Sequence, residues 1–170
     1  IRVDGKPMTP EQMLSYRQSI GYVPQNPYLM AGTVADNISF SQWGKPADTK
    51  KIHAACRQAQ IDFLVDNFKN ISRGIGENGA GLSGGQAQRV TIARALYAAP
   101  AVLIFDEATS SLDLHTEESI RKTISDLPQN ITRVIIAHKL SALKNCDLVY
   151  WLEDGKVFRK GATEELLADY

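Results

Sequence analysis

No excess of charge of either sign marks this sequence: its 19 basic and 19 acidic residues balance to a formal net charge of zero. There is therefore no overall field to draw the chain toward nucleic acid or an anionic lipid surface. Cysteine is scarce too. Cys56 and Cys146 lie far apart and form no C-x-x-C or Cys/His spacing, which argues against a disulfide framework or a zinc site and fits a reducing, cytosolic setting. Long apolar runs are also missing. The most apolar stretch, Ala98 to Phe105, is interrupted by Pro100 and falls well short of the ~20 residues a membrane-spanning helix needs. A membrane link is thus expected only through a partner or through further sequence. The opening Ile1-Arg2-Val3-Asp4-Gly5 has neither an initiating Met nor the basic-then-apolar layout of a signal peptide, so the chain reads as beginning inside a longer protein.

What is present suffices for one domain with a real core, perhaps with a subdomain. Ile1 to Val3 reads as a strand running into the Asp4-Gly5 turn, Pro10 to Tyr16 as a short helix, and Ile20 to Val23 as a strand stopped by Pro24. Gln25-Asn26-Pro27 is a loop, and Thr33 to Ile38 a helix capped by Thr33. From Asp48 to Phe68 apolar residues recur every three or four positions, which predicts one or two amphipathic helices. Six of the 12 glycines fall between Gly74 and Gly85, a loop under backbone constraint. Gln86 to Ala99 predicts a helix ended by Pro100, and Ala101 to Phe105 a strand buried on both faces of a parallel sheet. Thr116 to Leu127 is the next helix, with Ile120, Ile124 and Leu127 inward, and Val134 to Ala137 a second buried strand ending in His138. Leu148 to Leu152 and Lys156 to Phe158 flank Asp154-Gly155, a hairpin turn signal, and Thr163 caps a terminal helix. Alternating strands and helices predict an α/β fold with a mostly parallel sheet.

Two groups of residues carry possible chemistry. Asp106 and Glu107 are adjacent carboxylates at the end of an apolar strand, where ligands bind in open parallel sheets. Because successive strand residues point to opposite faces, the two should diverge. One can support Mg2+ through its water shell while the other polarises an attacking water; capping of the next helix is an equally open reading of these two alone. In Leu82-Ser83-Gly84-Gly85-Gln86 a serine and two glycines open a helix, a backbone anion site when a phosphate is present and a plain glycine-rich cap when none is.

Taken together, the motifs resemble the nucleotide-binding domain of ATP-binding cassette (ABC) exporters. Leu82 to Gln86 matches the family's signature motif, Val102 to Glu107 its Walker B strand and following glutamate, Ser110-Ser111-Leu112-Asp113 its D-loop, His138 its switch histidine, and Gln25 its Q-loop. Leu29 to Phe40 and Gly76 to Gly79 resemble the exporter branch. The resemblance implies a P-loop NTPase fold of the ABC type, truncated at its N-terminus, with an inserted helical subdomain. It divides the chain into residues 1–24 of the N-terminal core, 25–87 with the Q-loop, helical subdomain and signature, and 88–170 with the remaining core. By the same resemblance ATP and Mg2+ are the cofactors: Gln25 contacts Mg2+ and the attacking water, Asp106 supports the Mg2+, Glu107 is the general base, and His138 touches the γ-phosphate. Ser83, Gly84, Gly85 and Gln86 bind ATP held by a second nucleotide-binding domain in a head-to-tail dimer, Asp113 carries contacts between the two sites, and Glu77 lies in a loop that senses transmembrane domains. The implied location is the cytoplasmic face of a membrane.

Some features depart from that pattern. No G-x-x-x-x-G-K followed by Ser or Thr occurs; the only Gly-Lys pairs, at positions 5, 44 and 155, are followed by Pro or Val. The chain is therefore expected to start after the phosphate loop, and alone neither to bind MgATP tightly nor to hydrolyse it. Missing first strands would also expose sheet edges. Asn78 and Lys139 stand where exporters often have a basic residue and an arginine. Gly74 to Gly79 spells G-x-G-x-x-G, but no buried strand precedes it and no helix follows directly, as dinucleotide binding requires. His53 and His115 lack partners at ligand spacing, and Trp43 and Trp151 read as packing or surface residues. Two other functions compete. An ABC-type ATPase acting on DNA is disfavoured by the balanced charge and the absence of coiled-coil heptads. A non-catalytic subunit lending only its signature face is disfavoured by the intact Glu107 and His138.

Overall fold

In a computed structural model of the chain, residues 2, 3, 5–61 and 70–167 are described. Nine strands and six α-helices follow among them: β1 (Arg2–Val3), β2 (Lys6–Pro7), α1 (Pro10–Gln18), β3 (Ile20–Val23), β4 (Gly32–Thr33), α2 (Val34–Ser39), α3 (Thr49–Gln58), β5 (Gly74–Ile75), α4 (Gly84–Tyr97), β6 (Val102–Asp106), α5 (Leu114–Ser125), β7 (Thr132–Ile136), β8 (Val149–Glu153), β9 (Lys156–Gly161) and α6 (Thr163–Leu167). Of the one or two helices expected from Asp48 to Phe68, α3 accounts for Thr49–Gln58, and residues 62–68 lie outside the described residues.

The central sheet is parallel, in the order β3-β6-β7. Its register sets Gly21, Leu103 and Arg133 in one row, Tyr22, Ile104 and Val134 in the next, and Val23, Phe105 and Ile135 in the third. Alternate rows face opposite sides. The face bearing Gly21, Val23, Leu103 and Phe105 is buried. A Cβ at Gly21 would lie 2.6 Å from Cδ2 of Leu103 on the neighbouring strand and 3.0 Å from the Ala95 carbonyl oxygen of α4, so closely do sheet and helix meet there. The opposite face is open, with Tyr22, Val134 and Ile136 each about half exposed. This corrects the expectation that β6 and β7 are buried on both faces. Both faces of these strands are apolar, so the sequence pattern alone does not reveal which face has a covering layer.

Helix α4 is the hub. It was expected to bury one face; instead Gln88, Arg89, Thr91 and Ile92 are buried along with Val90, Ala93, Leu96 and Tyr97. Helices α2, α3 and α5 pack around it, contributing Val34, Ile38, Ile52, Cys56, Ile120 and Ile124 to one contiguous apolar core. Polar side chains around α4 are paired with backbone carbonyls and with one another, as low-dielectric surroundings require. Arg94 donates to the carbonyls of Asn37 at 2.7 Å and Tyr28 at 2.8 Å and to Asn37 Oδ1 at 2.8 Å. Gln88 Nε2 donates to the Pro24 carbonyl at 3.2 Å. Together they pin the segment on either side of Gln25 to α4.

Local signals account for most element ends. Thr33 and Ser83 make full capping boxes with Asp36 and Gln86, and Asp113 caps α5. Helix α4 begins two residues earlier than expected, at Gly84, so two of the six clustered glycines are helical rather than loop. The reason is the cap: Ser83 and Gln86 satisfy the first backbone N–H groups and outweigh glycine's poor helix propensity. Gly74 pairs in β5 with Thr33 of β4, and residues 77–79 form a 3-10 turn. The expected boundary between residues 87 and 88 falls within α4. In the β8-β9 hairpin Asp154 and Gly155 both adopt positive φ, 47° and 72°, the backbone that a two-residue turn between twisted strands demands.

Candidate functional site

The ends of the three parallel strands bring together residues more than eighty positions apart. Glu107 follows β6 directly, and its N–H donates to the Ile136 carbonyl at 2.9 Å, one step past the last strand pair. Its φ is 47°, a left-handed conformation that costs a non-glycine residue of order 1–3 kcal/mol and persists only where the surroundings impose it. That twist separates its carboxylate from that of Asp106. Glu107 Oε2 accepts from Gln25 Nε2 at 3.1 Å, and Oε1 lies 2.7 Å from His138 Nε2. Gln25 Nε2 also donates to Ser110 Oγ at 3.1 Å, and that hydroxyl donates to the Glu107 carbonyl at 3.0 Å. Gln25, Glu107, Ser110 and His138 thus form one polar cluster.

Asp106 stays on the open face of the sheet, where Tyr22 Oη donates to its Oδ2 at 2.8 Å. The anionic acceptor raises the Tyr22 hydroxyl above its ordinary pKa of 10.0. As expected, the two adjacent carboxylates have different partners. Ser110 and Tyr22 are absent from the expected site residues. Ser110 is visible in the sequence only as a letter of the Ser-Ser-Leu-Asp motif, and Tyr22 only through the register that sets it two residues from Asp106 on the same face.

A second group sits at the starts of α4 and α5. Ser83 Oγ accepts from the Gln86 N–H at 3.3 Å, and Gln86 Oε1 accepts from the Ser83 N–H at 3.1 Å. The glycines allow α4 to begin against α5. A Cβ at Gly85 would lie 2.4 Å from Thr116 Cγ2, and one at Gly84 3.4 Å from Leu112 Cδ2. Asp113 Oδ1 accepts from the Thr116 N–H at 3.1 Å; hydrogen bonds from Thr116 hold its carboxyl below the ordinary value of 3.8. An open hollow of about 380 Å³ lies here, lined by Gln60, Ser83, Gly85, Gln86, Arg89, His115, Thr116 and Ser119. The structure therefore brings Gln25, Glu107 and His138 together, sets Asp106 beside them in the chain on another face, and gathers Ser83, Gly84, Gly85, Gln86 and Asp113 at the helix starts. None of the lining residues of the hollow belongs to the Glu107 cluster.

The donor set suits a hard cation in part. Both N–H bonds of the Gln25 amide are engaged, which leaves its carbonyl oxygen as a ligand or acceptor. With Asp106 it offers two oxygens, and no group of three or more His, Cys, Asp or Glu side chains among the described residues could hold a metal. Mg2+ commonly completes its shell with water and phosphate oxygens rather than protein.

The model of the ABC transporter family matches residues 1–110. The chain belongs to the ABC transporter family. It is 40% identical, over 99% of its length, to the alpha-hemolysin translocation ATP-binding protein HlyB of Proteus vulgaris, and 38% identical, over 98%, to the ABC transporter ATM1 of Toxoplasma gondii. A bacterial Atm1-family ABC exporter solved with ATP bound superposes with a TM-score of 0.81 at 35% identity over 98% of the chain. The chain spans 24% of HlyB, 15% of ATM1 and 29% of the solved exporter. As an ABC family member it has the ABC ATPase fold, and no helix among its described residues is long and apolar enough to cross a membrane.

Proposed function

We propose that the chain is the ATP-binding and hydrolysing part of an ABC exporter and works only in company: with a phosphate-binding loop, with a second nucleotide-binding domain, and with transmembrane domains whose cytoplasmic side it occupies. The observation that carries this is the convergence of Gln25, Glu107 and His138 at the ends of three parallel strands, with Glu107 between an amide at 3.1 Å and an imidazole at 2.7 Å. In this reading Glu107 accepts the proton of the attacking water. Gln25, which already holds one Glu107 oxygen, orients that water, and His138 donates to the γ-phosphate. Phosphoryl transfer asks the protein for positioned charge more than covalent chemistry, and the cluster supplies a base, a donor and an amide in one place. Mg2+, held through Asp106 and the Gln25 carbonyl, would neutralise phosphate charge.

The Ser83 turn supplies backbone N–H groups and the positive end of a 14-residue helix to the phosphates bound on the second domain. Closure of two such domains would then complete both sites, and hydrolysis would release them, which is how ATP can drive a membrane partner between conformations. The exporter relatives support this reading over one in which the domain works on DNA, and the balanced charge agrees with it. Glu107→Gln in the full-length protein is expected to lower kcat by about 10²–10⁴-fold while leaving ATP bound in a trapped dimer. Unchanged turnover would remove Glu107 from the chemistry.

A further inference from the structure

Glu117 is a titratable group that the scheme above does not use, although it is buried, with only 3% of its surface exposed. It lies one helical turn into α5, and its N–H donates to the carbonyl of the capping Asp113 at 2.8 Å. A buried carboxylate is costly unless it is paired. Here Lys139 Nζ donates to Glu117 Oε2 at 2.6 Å and Ser141 Oγ to Oε1 at 3.4 Å. One turn further along α5, Arg121 Nη1 donates to the Ser141 carbonyl at 3.0 Å. Three contacts from a single helix thus hold residues 139–141, the segment that directly follows His138.

His138 itself has little other support. Its side chain is 85% exposed, and its Nε2 lies 2.7 Å from Glu107 Oε1. An imidazole that protrudes this far takes its position from the backbone on either side. On one side β7 ends at Ile136, paired with Asp106; on the other, Lys139 is held by Glu117. We infer that Glu117, with Lys139 and Arg121, is a positioning element that sets His138 Nε2 against Glu107 and joins that contact to the helix begun by Asp113. A shift of Asp113 at the start of α5 would pass along one rigid helical turn to Glu117, and through the Lys139 ion pair to the histidine. This rests on the role proposed for His138, and its failure can be told apart from the failure of that role.

The test uses the full-length protein and compares steady-state and single-turnover ATP hydrolysis. Glu117→Gln keeps the shape and an acceptor for Lys139 but removes the charge; it should lower kcat about tenfold while KM for ATP changes less than about twofold. Lys139→Arg preserves the cation and should hold kcat within about twofold. Arg121→Gln, on a partly exposed side chain, guards against a Glu117 variant that does not fold and should cost about threefold. The deciding readout is non-additivity: in a His138→Ala background, Glu117→Gln and Arg121→Gln should each change kcat less than about twofold, because their effect has no histidine to act through. If their losses carry over in full to that background, or if neither variant loses activity in the parent protein, the positioning role is overturned. Wild-type turnover by His138→Ala alone would instead show that the histidine has no part in hydrolysis, and the positioning role would fall with it.

Discussion

The cluster at the strand ends and the turn at the helix starts are built in opposite ways. Around Glu107 the side-chain bonds that hold its carboxylate are long-range, linking Gln25 to Glu107 and Ser110 across more than eighty residues and Glu107 to the loop after β7; the bond from the Ser110 hydroxyl to the Glu107 carbonyl is the local one among them. Around Ser83 every such bond is local, spanning three residues within a capping box, and the hollow beside it has no carboxylate among its lining residues. The first region is an assembly of chemical groups that exists only when the sheet is formed. The second is a rigid donor surface complete in itself. On the proposed reading, Glu107 is a base that several anchors must aim, whereas the Ser83 turn needs only a fixed helix start to meet a phosphate.

Substitutions that separate chemistry from folding should sharpen that contrast. His138→Ala is expected to lower ATP turnover of the full-length protein by about 10²-fold or more while leaving the thermal midpoint nearly unchanged, since the side chain is 85% exposed. A large drop in midpoint would show that the strand-end cluster is structural. Gly85→Ala should instead lower stability itself. Its Cβ would stand 2.4 Å from Thr116 Cγ2, so α4 and α5 must part, at about 1–3 kcal/mol, read by denaturant unfolding; a stability equal to the parent would mean the two helices are not tightly packed at their starts. Ser83→Ala removes the cap of α4 and should cost about 1 kcal/mol of stability.

The smallest effect is on pH. Asp113 and Asp36 are both held below the ordinary carboxyl value of 3.8 by hydrogen bonds at helix starts, Asp113 from Thr116 and Asp36 from Thr33. Because the folded values are depressed, their contribution is fully present above the unfolded value of 3.8 and fades as the pH falls below it through the folded values. Thermal midpoints of Asp113→Asn and the parent should therefore differ near neutral pH and converge in acid below that window. A gap that persists there would place the effect elsewhere.

The same division explains what the sequence allowed to be read. Thr33, Ser83 and the Asp154-Gly155 turn are legible because their bonds are local, and the order of motifs resembling the ABC family pointed to Gln25, Glu107 and His138. Tyr22 and Glu117 were not legible as partners. Tyr22 reaches Asp106 only through strand register, and Glu117 reads as an ordinary acid near a helix start until Lys139 folds back onto it. The open face of β6 and β7 escaped for a different reason: apolar letters on both faces do not say which face is covered.

The central claim, that the Glu107 cluster of one domain and the Ser83 turn of another close on the same phosphates, can be tested by cross-linking. Full-length Glu107→Gln protein with Cys56 and Cys146 replaced would be prepared once with Ser83→Cys and once with His138→Cys, then mixed and treated with a short bismaleimide. The account predicts a covalent pair joining one chain of each kind that forms with ATP and is lost without it. Absence of that pair whether or not ATP is present would contradict it.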